Sequence, residues 1–64
     1  MSNLKDLRQA AGLSQRELAE KSGISYRMIQ YYEQGANDIN KAALETGVAL
    51  ADALGCDPKE LLEK

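Results

Sequence analysis

The chain has no histidine, tryptophan or phenylalanine, and it has one cysteine and one proline among its 64 residues. With no histidine and a single thiol at Cys56, the sequence predicts no metal site and no cofactor. It also lacks a phosphate-cradling glycine loop, and its few carboxylates serve mainly in helix caps and surface pairs, so we do not expect an enzyme. Because Cys56 cannot form an internal disulfide, the composition fits a reducing compartment, and we expect a cytoplasmic protein.

Long hydrophobic runs are also missing. No stretch approaches the ~20 apolar residues that a membrane-spanning helix needs, so no membrane association is expected. From Ser2 onward the N-terminus alternates polar and apolar residues, which is not the pattern of a signal peptide. A chain of this length buries only about 60% of its unfolded surface, so we expect one small domain, residues 1–64, with a compact core.

An excess of basic side chains, which most nucleic-acid-binding proteins have, is absent, since the formal net charge is −2. The two halves of the chain differ, however. Residues 1–34 carry five basic and four acidic side chains, a net charge of +1, whereas residues 35–64 carry three basic and six acidic ones, a net charge of −3. The N-terminal half can therefore present a mildly positive face to phosphate, with an affinity that is modest and falls steeply with salt.

The chain does have regularly spaced residues of the kinds that begin and end helices. Ser14 and Glu17 form the Ser-x-x-Glu pattern of a capping box, and Ser25 is a good N-cap for the next helix. Gly23 and Gly35 supply the positive φ that ends a helix at low steric cost. These signals predict five short helices, with the approximate bounds Asn3 to Ala11, Ser14 to Gly23, Ser25 to Gly35, Ala43 to Leu54, and a last helix opening at Asp57-Pro58-Lys59-Glu60.

Apolar spacing predicts which faces of these helices are buried. The expected core positions are Leu4, Leu7, Leu18, Ala19, Ile24, Ile29, Tyr32 and Ile39, followed by a stripe in the fourth helix at Leu44, Val48, Ala51 and Leu54. Leu61 and Leu62 are expected to face either the core or a partner. Gly47, in mid-helix at a cost of about 1 kcal/mol relative to alanine, indicates close packing against a neighbouring element or, alternatively, a second subunit. Cys56 is expected to be a small core residue and not a reactive thiol.

Two segments carry a specific family pattern. The first reads Leu13-Ser14-Gln15-x-Glu17-Leu18-Ala19-x-x-x-Gly23-Ile24-Ser25, and the second reads Ile29-x-x-Tyr32-Glu33-x-Gly35. Over nearly its whole length the chain closely resembles the phage-repressor/Cro-like (XRE-type) helix-turn-helix transcriptional regulators. The resemblance implies an all-α, compact five-helix bundle of the lambda-repressor-like DNA-binding type. In this fold the second and third helices form the helix-turn-helix, and the third lies in the major groove.

The resemblance also implies roles for individual residues. Gln15 matches a glutamine at the start of the second helix that typically holds a phosphate. Arg8 and Glu33 match a pair that usually forms an internal salt bridge between the first and third helices. Base- and backbone-contacting positions of the third helix are matched by Ser25, Tyr26, Arg27 and Tyr31.

Two features depart from the family pattern. The loop after Gly35 is longer than the commonest family spacing, and Ala43 stands where a serine or threonine often caps the fourth helix. Both leave the conformation of residues 37–43 open. Any phosphate contact from Asn37, Asn40 or Lys41 is left open with it.

The outer face of the third helix has side chains suited to DNA recognition. Arg27 can donate two parallel hydrogen bonds to guanine O6 and N7; the alternatives are a phosphate contact or a solvated charge. Tyr26 and Tyr31 can bond to phosphate through the hydroxyl or pack the ring on a thymine methyl group, although Tyr31 can instead fold back onto the core. Gln30 falls on the same face, whereas Tyr32 shares the inner face with the core.

Gln15 and Arg16 lie at the start of the second helix. Free backbone amides and the helix dipole favour an anion there, and the Gln15 amide can add a donor to a phosphate oxygen; simple surface exposure is the alternative. Arg16 can support the phosphate backbone electrostatically, as can Lys5, or each can be a solvated charge.

Two functions fit these observations. The leading hypothesis is a sequence-specific DNA-binding transcriptional regulator, of repressor type, that reads the major groove of double-stranded DNA with residues 25–34. It would bind a palindromic operator as a homodimer, with the fourth and fifth helices forming the dimer surface. The alternative is a protein-interaction module, such as an antitoxin or anti-repressor subunit, whose acidic C-terminal half binds a protein partner.

Overall fold

The computed structural model describes residues 3–62. These residues form four α-helices, namely α1 (Asn3–Ala10), α2 (Gln15–Ser22), α3 (Tyr26–Gln34) and α4 (Leu44–Leu54). Two short 3-10 helices follow α3 and α4, at Ile39–Lys41 and Pro58–Leu61. The predicted all-α bundle, with α2 and α3 joined by a short turn, is confirmed.

The predicted ends of α2 are confirmed. The Ser14 hydroxyl accepts from the Glu17 amide at 3.1 Å, and the Glu17 carboxylate accepts from the Ser14 amide at 2.9 Å, so the capping box is formed. The bond from the Ser14 amide holds the pKa of Glu17 below its usual value. At the other end, Gly23 has φ 75°, and its amide reaches the carbonyl of Ala19.

The core draws apolar side chains from every α-helix. The buried residues are Leu4, Leu18, Ile29, Tyr32, Ile39, Leu50, Ala51 and Leu61. Partly buried residues packed against them include Leu7, Ala19, Ile24 and Leu54. The predicted core positions of the first three helices are thus confirmed, as is burial of Ile39. Burial of each of these leucine or isoleucine side chains contributes about 1.5–3 kcal/mol to the stability of the folded chain.

The buried face of α4 agrees with the predicted one only in part, since Ala51 and Leu54 pack in the core as predicted. Leu44 and Val48 were expected in the core, but Leu44 is 78% exposed and Val48 is 38% exposed. The buried residues of α4 are Leu50 and Ala51, with Leu54 packed partly against the core. Apolar residues lie on several sides of this helix, so two patterns of helical spacing fit its sequence. Packing of α4 against α2 and against the 3-10 helix Pro58–Leu61 selects the pattern that buries Leu50 and Ala51.

Gly47 is not a position of close packing within the chain, so the first interpretation of this glycine is wrong. A Cβ added there would meet no atom within 4 Å beyond its own helix backbone. The residue lines a surface groove instead. The second interpretation, approach of another subunit, stays a prediction.

The predicted fifth helix is a single 3-10 turn in the described part of the chain. Its start is as expected, because Asp57 Oδ1 accepts from the Lys59 amide at 2.9 Å and Glu60 Oε2 accepts from the Asp57 amide at 2.9 Å. The backbone leaves helical geometry at Leu62 (φ −67°, ψ 136°), whose carbonyl accepts a 2.7 Å bond from Asn3 Nδ2. This bond to α1 holds Leu62 extended, and the side chain of Leu62 is 53% exposed. Residues 63–64 lie outside the described part.

The connection between α3 and α4, left open by the sequence, is partly ordered by a local cap. Asp38 Oδ1 accepts from the Asn40 amide at 2.9 Å, and the amide of Ala42 reaches the Ile39 carbonyl at 3.1 Å. The buried side chain of Ile39 anchors this turn to the core. Ala43 then begins α4 without a side-chain cap.

Cys56 lies just after α4 and is partly buried against the core, as predicted. Burial raises the pKa of its thiol, and the negative charges of Glu60 and Asp57 raise it further. The thiol is therefore less ionised at neutral pH than an ordinary cysteine, which fits a packing role.

Replacement of single leucines of α4 by alanine tests which face of this helix is buried. We expect Leu50→Ala to lower the free energy of unfolding by about 2–5 kcal/mol, because it empties a fully buried position. Leu44→Ala is the matched control on the same helix and should change the free energy of unfolding by about 0.5 kcal/mol or less. Chemical denaturation, at concentrations low enough to keep the chain monomeric, measures both. Equal losses in the two variants would contradict the observed face.

Candidate nucleic-acid interface

The two faces of α3 differ in burial. Ile29 is 0% exposed and Tyr32 is 6% exposed, so the inner face belongs to the core. The outer face carries the predicted set, in which Arg27 and Tyr31 are exposed and Tyr26 and Gln30 are half-buried. Tyr31 is 39% exposed and does not fold back onto the core. The structure therefore presents these four side chains on one surface, while their contact with DNA stays a prediction.

Ser25 fixes the start of α3. Its Oγ accepts from the Met28 amide at 3.1 Å, which makes it the N-cap that the sequence predicts. In the turn before it, the Ile24 amide donates to Ser22 Oγ at 3.1 Å. Ser25 is exposed, and its hydroxyl proton can still be donated to a phosphate oxygen.

A buried carboxylate of α3 connects the first three helices. Arg8 Nε donates to Glu33 Oε2 at 2.7 Å, and Arg8 Nη2 donates to Glu33 Oε1 at 3.0 Å. Gln15 Nε2 donates to the same Oε1 at 3.1 Å. The side chain of Glu33 is 4% exposed and that of Arg8 is 11% exposed, so the predicted salt bridge is confirmed as a nearly buried, bidentate pair. The hydrogen bond to Glu33 raises the pKa of Arg8, and the positive charge is permanent.

Arg8 also holds the connection between α1 and α2. Its Nη1 donates to the backbone carbonyl of Leu13 at 2.9 Å, one residue before the N-cap of α2. All three guanidinium nitrogens are thus hydrogen-bonded. This third bond was not predicted, because a side-chain bond to a backbone carbonyl leaves no residue pattern in the sequence.

Gln15 was expected to hold a phosphate, and in the structure it contacts Glu33. Its half-buried side chain uses one of its two amide protons for that bond. The second amide proton remains for a phosphate oxygen. The bond to Glu33 restricts the direction of the Gln15 side chain. The phosphate contact stays a prediction, and it would be made by the second amide proton. The sequence held no local sign of this pair, since 18 positions separate the two residues.

Arg16, Tyr26 and Gln30 form a cluster at the meeting of α2 and α3, called here the Tyr26 cluster. The guanidinium carbon of Arg16 lies 4.6 Å from the centroid of the Tyr26 ring, within the range of a cation–π contact. Gln30 Nε2 donates to the Tyr26 hydroxyl oxygen at 3.1 Å. The sequence predicts all three at the interface but does not predict their pairing. The four-residue spacing of Tyr26 and Gln30 on one helix was the available signal.

Arg27 is the cation of α3. Within residues 3–62 it forms no ion pair and donates no hydrogen bond, and its side chain is exposed. It follows Tyr26 at the N-terminal end of α3, the end that meets base edges when such a helix enters a major groove. Its guanidinium is therefore available to an acceptor outside the chain.

A second surface feature is an apolar groove beside the N-terminal half of α4, called here the α4 groove. It encloses about 330 Å³, and its walls include Ile39, Leu44, Gly47, Leu61 and Leu62. Leu44 and Leu62 are more than half exposed, and Val48, further along α4, is 38% exposed. The open space over Gly47 lies in this groove.

Two other features are absent from the described residues, namely a cluster of metal ligands and a membrane-spanning helix. No group of three or more His, Cys, Asp or Glu side chains there is arranged to hold a metal ion. None of the helices in the same part of the chain has the length and apolar character needed to cross a membrane.

Comparisons with known proteins agree with this geometry. A family model described as helix-turn-helix matches residues 4–61. The chain is also similar to a solved structure, the restriction-modification controller protein C.AhdI from Aeromonas hydrophila, at 37% sequence identity and a TM-score of 0.82. That similarity covers 94% of this chain and 86% of C.AhdI. No curated protein sequence matches.

Removal of the buried carboxylate tests its structural role. We expect Glu33→Ala to lower the free energy of unfolding by about 3–5 kcal/mol, because Arg8 is left as an uncompensated and nearly buried charge. Glu20→Ala removes the same charge from an exposed position of α2 and should have little effect. Thermal and denaturant melts measure both variants. A melting temperature of Glu33→Ala equal to that of the wild type would show that the pair contributes nothing.

Proposed function

Because the chain belongs to the helix-turn-helix family of DNA-binding transcriptional regulators, we propose that it binds a specific operator and acts as a repressor. One observation carries the proposal. The inner face of α3 is held by the core and by Glu33, while its outer face offers side chains that suit base edges and phosphates. We propose that residues 1–64 form one DNA-binding domain and that it acts in the cytoplasm. The family is one of regulators and not of enzymes.

In the proposed complex, α3 lies in the major groove and α2 crosses the phosphate backbone. Arg27 is unpaired within the described residues, so its planar guanidinium can donate two hydrogen bonds to guanine O6 and N7. Tyr31, further along the same outer face, would meet a thymine methyl group or the sugar–phosphate edge.

The phosphate contacts of the complex come from the start of α2 and α3. Gln15 would donate its second amide proton to a phosphate oxygen, and Ser25 would donate its hydroxyl proton. Both contacts are hydrogen bonds from neutral side chains, so they add no positive charge to the DNA-binding surface. With a chain net charge of −2, non-specific binding should be weak, and directional contacts should supply most of the affinity.

A weak electrostatic attraction makes a single copy a poor binder, and we propose a homodimer on a palindromic operator. Two copies would place their α3 helices in successive major grooves about one helical turn, ~34 Å, apart. The α4 groove is the proposed dimer surface, since Leu44 and Leu62 in its walls are more than half exposed and the space over Gly47 is open. A two-fold contact would bury the same apolar side chains of both copies.

C.AhdI is described as a controller protein of restriction and modification. For this chain we propose control of the same general kind, in which occupancy of an operator sets the transcription of a nearby gene. The alternative, a protein-interaction module, predicts that the α4 groove binds a different protein and that the outer face of α3 reads no sequence.

Selection from a random duplex library tests the proposal. We expect a palindromic motif containing guanine, and we expect Arg27→Ala to lose about 1–3 kcal/mol of discrimination at one position of each half-site. Arg27→Lys is the matched control: it keeps the charge but not the planar guanidinium, so it should retain non-specific affinity while the guanine preference weakens less than in Arg27→Ala. Recovery of no motif by the wild-type protein would refute sequence-specific binding.

A charge placed in the α4 groove tests the dimer. We expect the wild-type chain to sediment as a dimer at micromolar concentration and Leu44→Lys to sediment as a monomer, because the lysine charge would be buried in an apolar contact. Loss of the second half-site contact should weaken operator binding by about 100-fold or more without altering base preference. Ala10→Lys adds the same charge at an exposed position of α1 and should remain dimeric. A dimeric Leu44→Lys variant would contradict this surface.

A further inference from the structure

Tyr26 is held from two sides in the absence of any ligand. The Arg16 guanidinium covers its ring at 4.6 Å, and its hydroxyl oxygen accepts a 3.1 Å hydrogen bond from Gln30 Nε2. Together the two contacts restrict the orientation of this half-buried ring and direct its hydroxyl oxygen toward Gln30. The hydrogen bond in turn limits the directions in which the Gln30 side chain can point.

The hydrogen bond to Tyr26 leaves a defined pair of groups on Gln30. A glutamine amide has two N–H donors and one carbonyl acceptor, and Tyr26 takes one of the donors. When the Tyr26 hydroxyl takes the N–H that points away from the carbonyl, the other N–H and the carbonyl oxygen lie side by side as a donor and an acceptor. In the major groove, that pair matches adenine, whose N7 accepts and whose N6 amino group donates.

We propose that Gln30 recognises an adenine in the operator and that Tyr26 is the positioning residue that directs it. This inference rests on the proposed function, because it requires α3 to lie in the major groove. Tyr26 acts by holding the long Gln30 side chain in place before DNA arrives, which lowers the conformational entropy that binding removes. Arg16 acts indirectly, because its guanidinium packs on the Tyr26 ring and restricts the orientation of that ring.

The proposal separates the roles of neighbouring side chains on α3. Arg27, without a partner in the described part of the chain, reads guanine by charge and geometry together. Gln30, uncharged and held in place, reads adenine by geometry alone. An uncharged reader suits a chain whose net charge is −2, because its contribution to discrimination does not depend on electrostatic attraction.

The test compares base preference at every operator position for wild type, Gln30→Ala, Tyr26→Phe and the double variant. Gln30→Ala should lose an adenine preference of about 5- to 150-fold at one position of each half-site. Tyr26→Phe keeps the ring beneath Arg16 but removes the acceptor, and it should relax the same position by about 2- to 10-fold. The double variant should match Gln30→Ala, because the hydroxyl acts only through Gln30.

Two further variants make the result specific. Gln30→Glu has no N–H to donate to adenine N7, but it can accept from the amino group of cytosine, so preference at that position should shift from adenine to cytosine. Tyr32→Phe makes the same chemical change on the buried face of α3, and it should leave every base preference unaltered. Circular dichroism of each variant confirms that the helices are retained.

The outcomes distinguish this inference from the proposed function. A wild-type protein that selects no motif refutes the proposed function and the inference with it. A wild-type motif in which Gln30→Ala relaxes no adenine position refutes the inference alone. A Tyr26→Phe variant that weakens all sequences equally also refutes it, because the hydroxyl would then act on phosphate and not through Gln30.

Discussion

The buried carboxylate of Glu33 is the interaction on which the position of α3 depends. A charge removed from water is tolerated only when its oxygens are hydrogen-bonded, and the donors here are Arg8 of α1 and Gln15 of α2. Apolar contacts are not directional, whereas hydrogen bonds are. The three bonds that converge on one carboxylate therefore act with the buried Ile29 and Tyr32 to fix which face of α3 is turned outward.

That constraint has a consequence for recognition. With its inner face held by Ile29 and Glu33, α3 presents its outer side chains from backbone positions that are set before a ligand arrives. Part of the outer face is ordered further by the Tyr26 cluster, whereas Arg27 extends from it without a partner in the described residues. A small domain with a net charge of −2 has little long-range attraction for DNA, so ordered, directional groups and a second copy are the physical means left to it.

Much of this architecture could be predicted because its causes are local. The cap at Ser14 depends on Glu17, three residues away, and the ends of α2 and α3 depend on glycines that follow directly. The salt bridge of Arg8 and Glu33 is different. It spans 25 positions and was expected only from a family resemblance, not from the pattern of the residues themselves. The bond from Gln15 to Glu33, which neither source indicated, required coordinates.

The sequence by itself determined the helix ends, the caps and the division of α3 into an inner and an outer face. Each of these follows from side chains within about one helical turn of one another. The tertiary structure alone decided which side of α4 is buried, since Leu44 and Leu50 are equally apolar and only the neighbouring elements distinguish them. It also decided that Pro58–Leu61 make one 3-10 turn, because a bond from Asn3 to the Leu62 carbonyl holds Leu62 in an extended conformation. Partners distant along the chain leave no periodic trace in a single sequence, and they become visible only when the chain has folded.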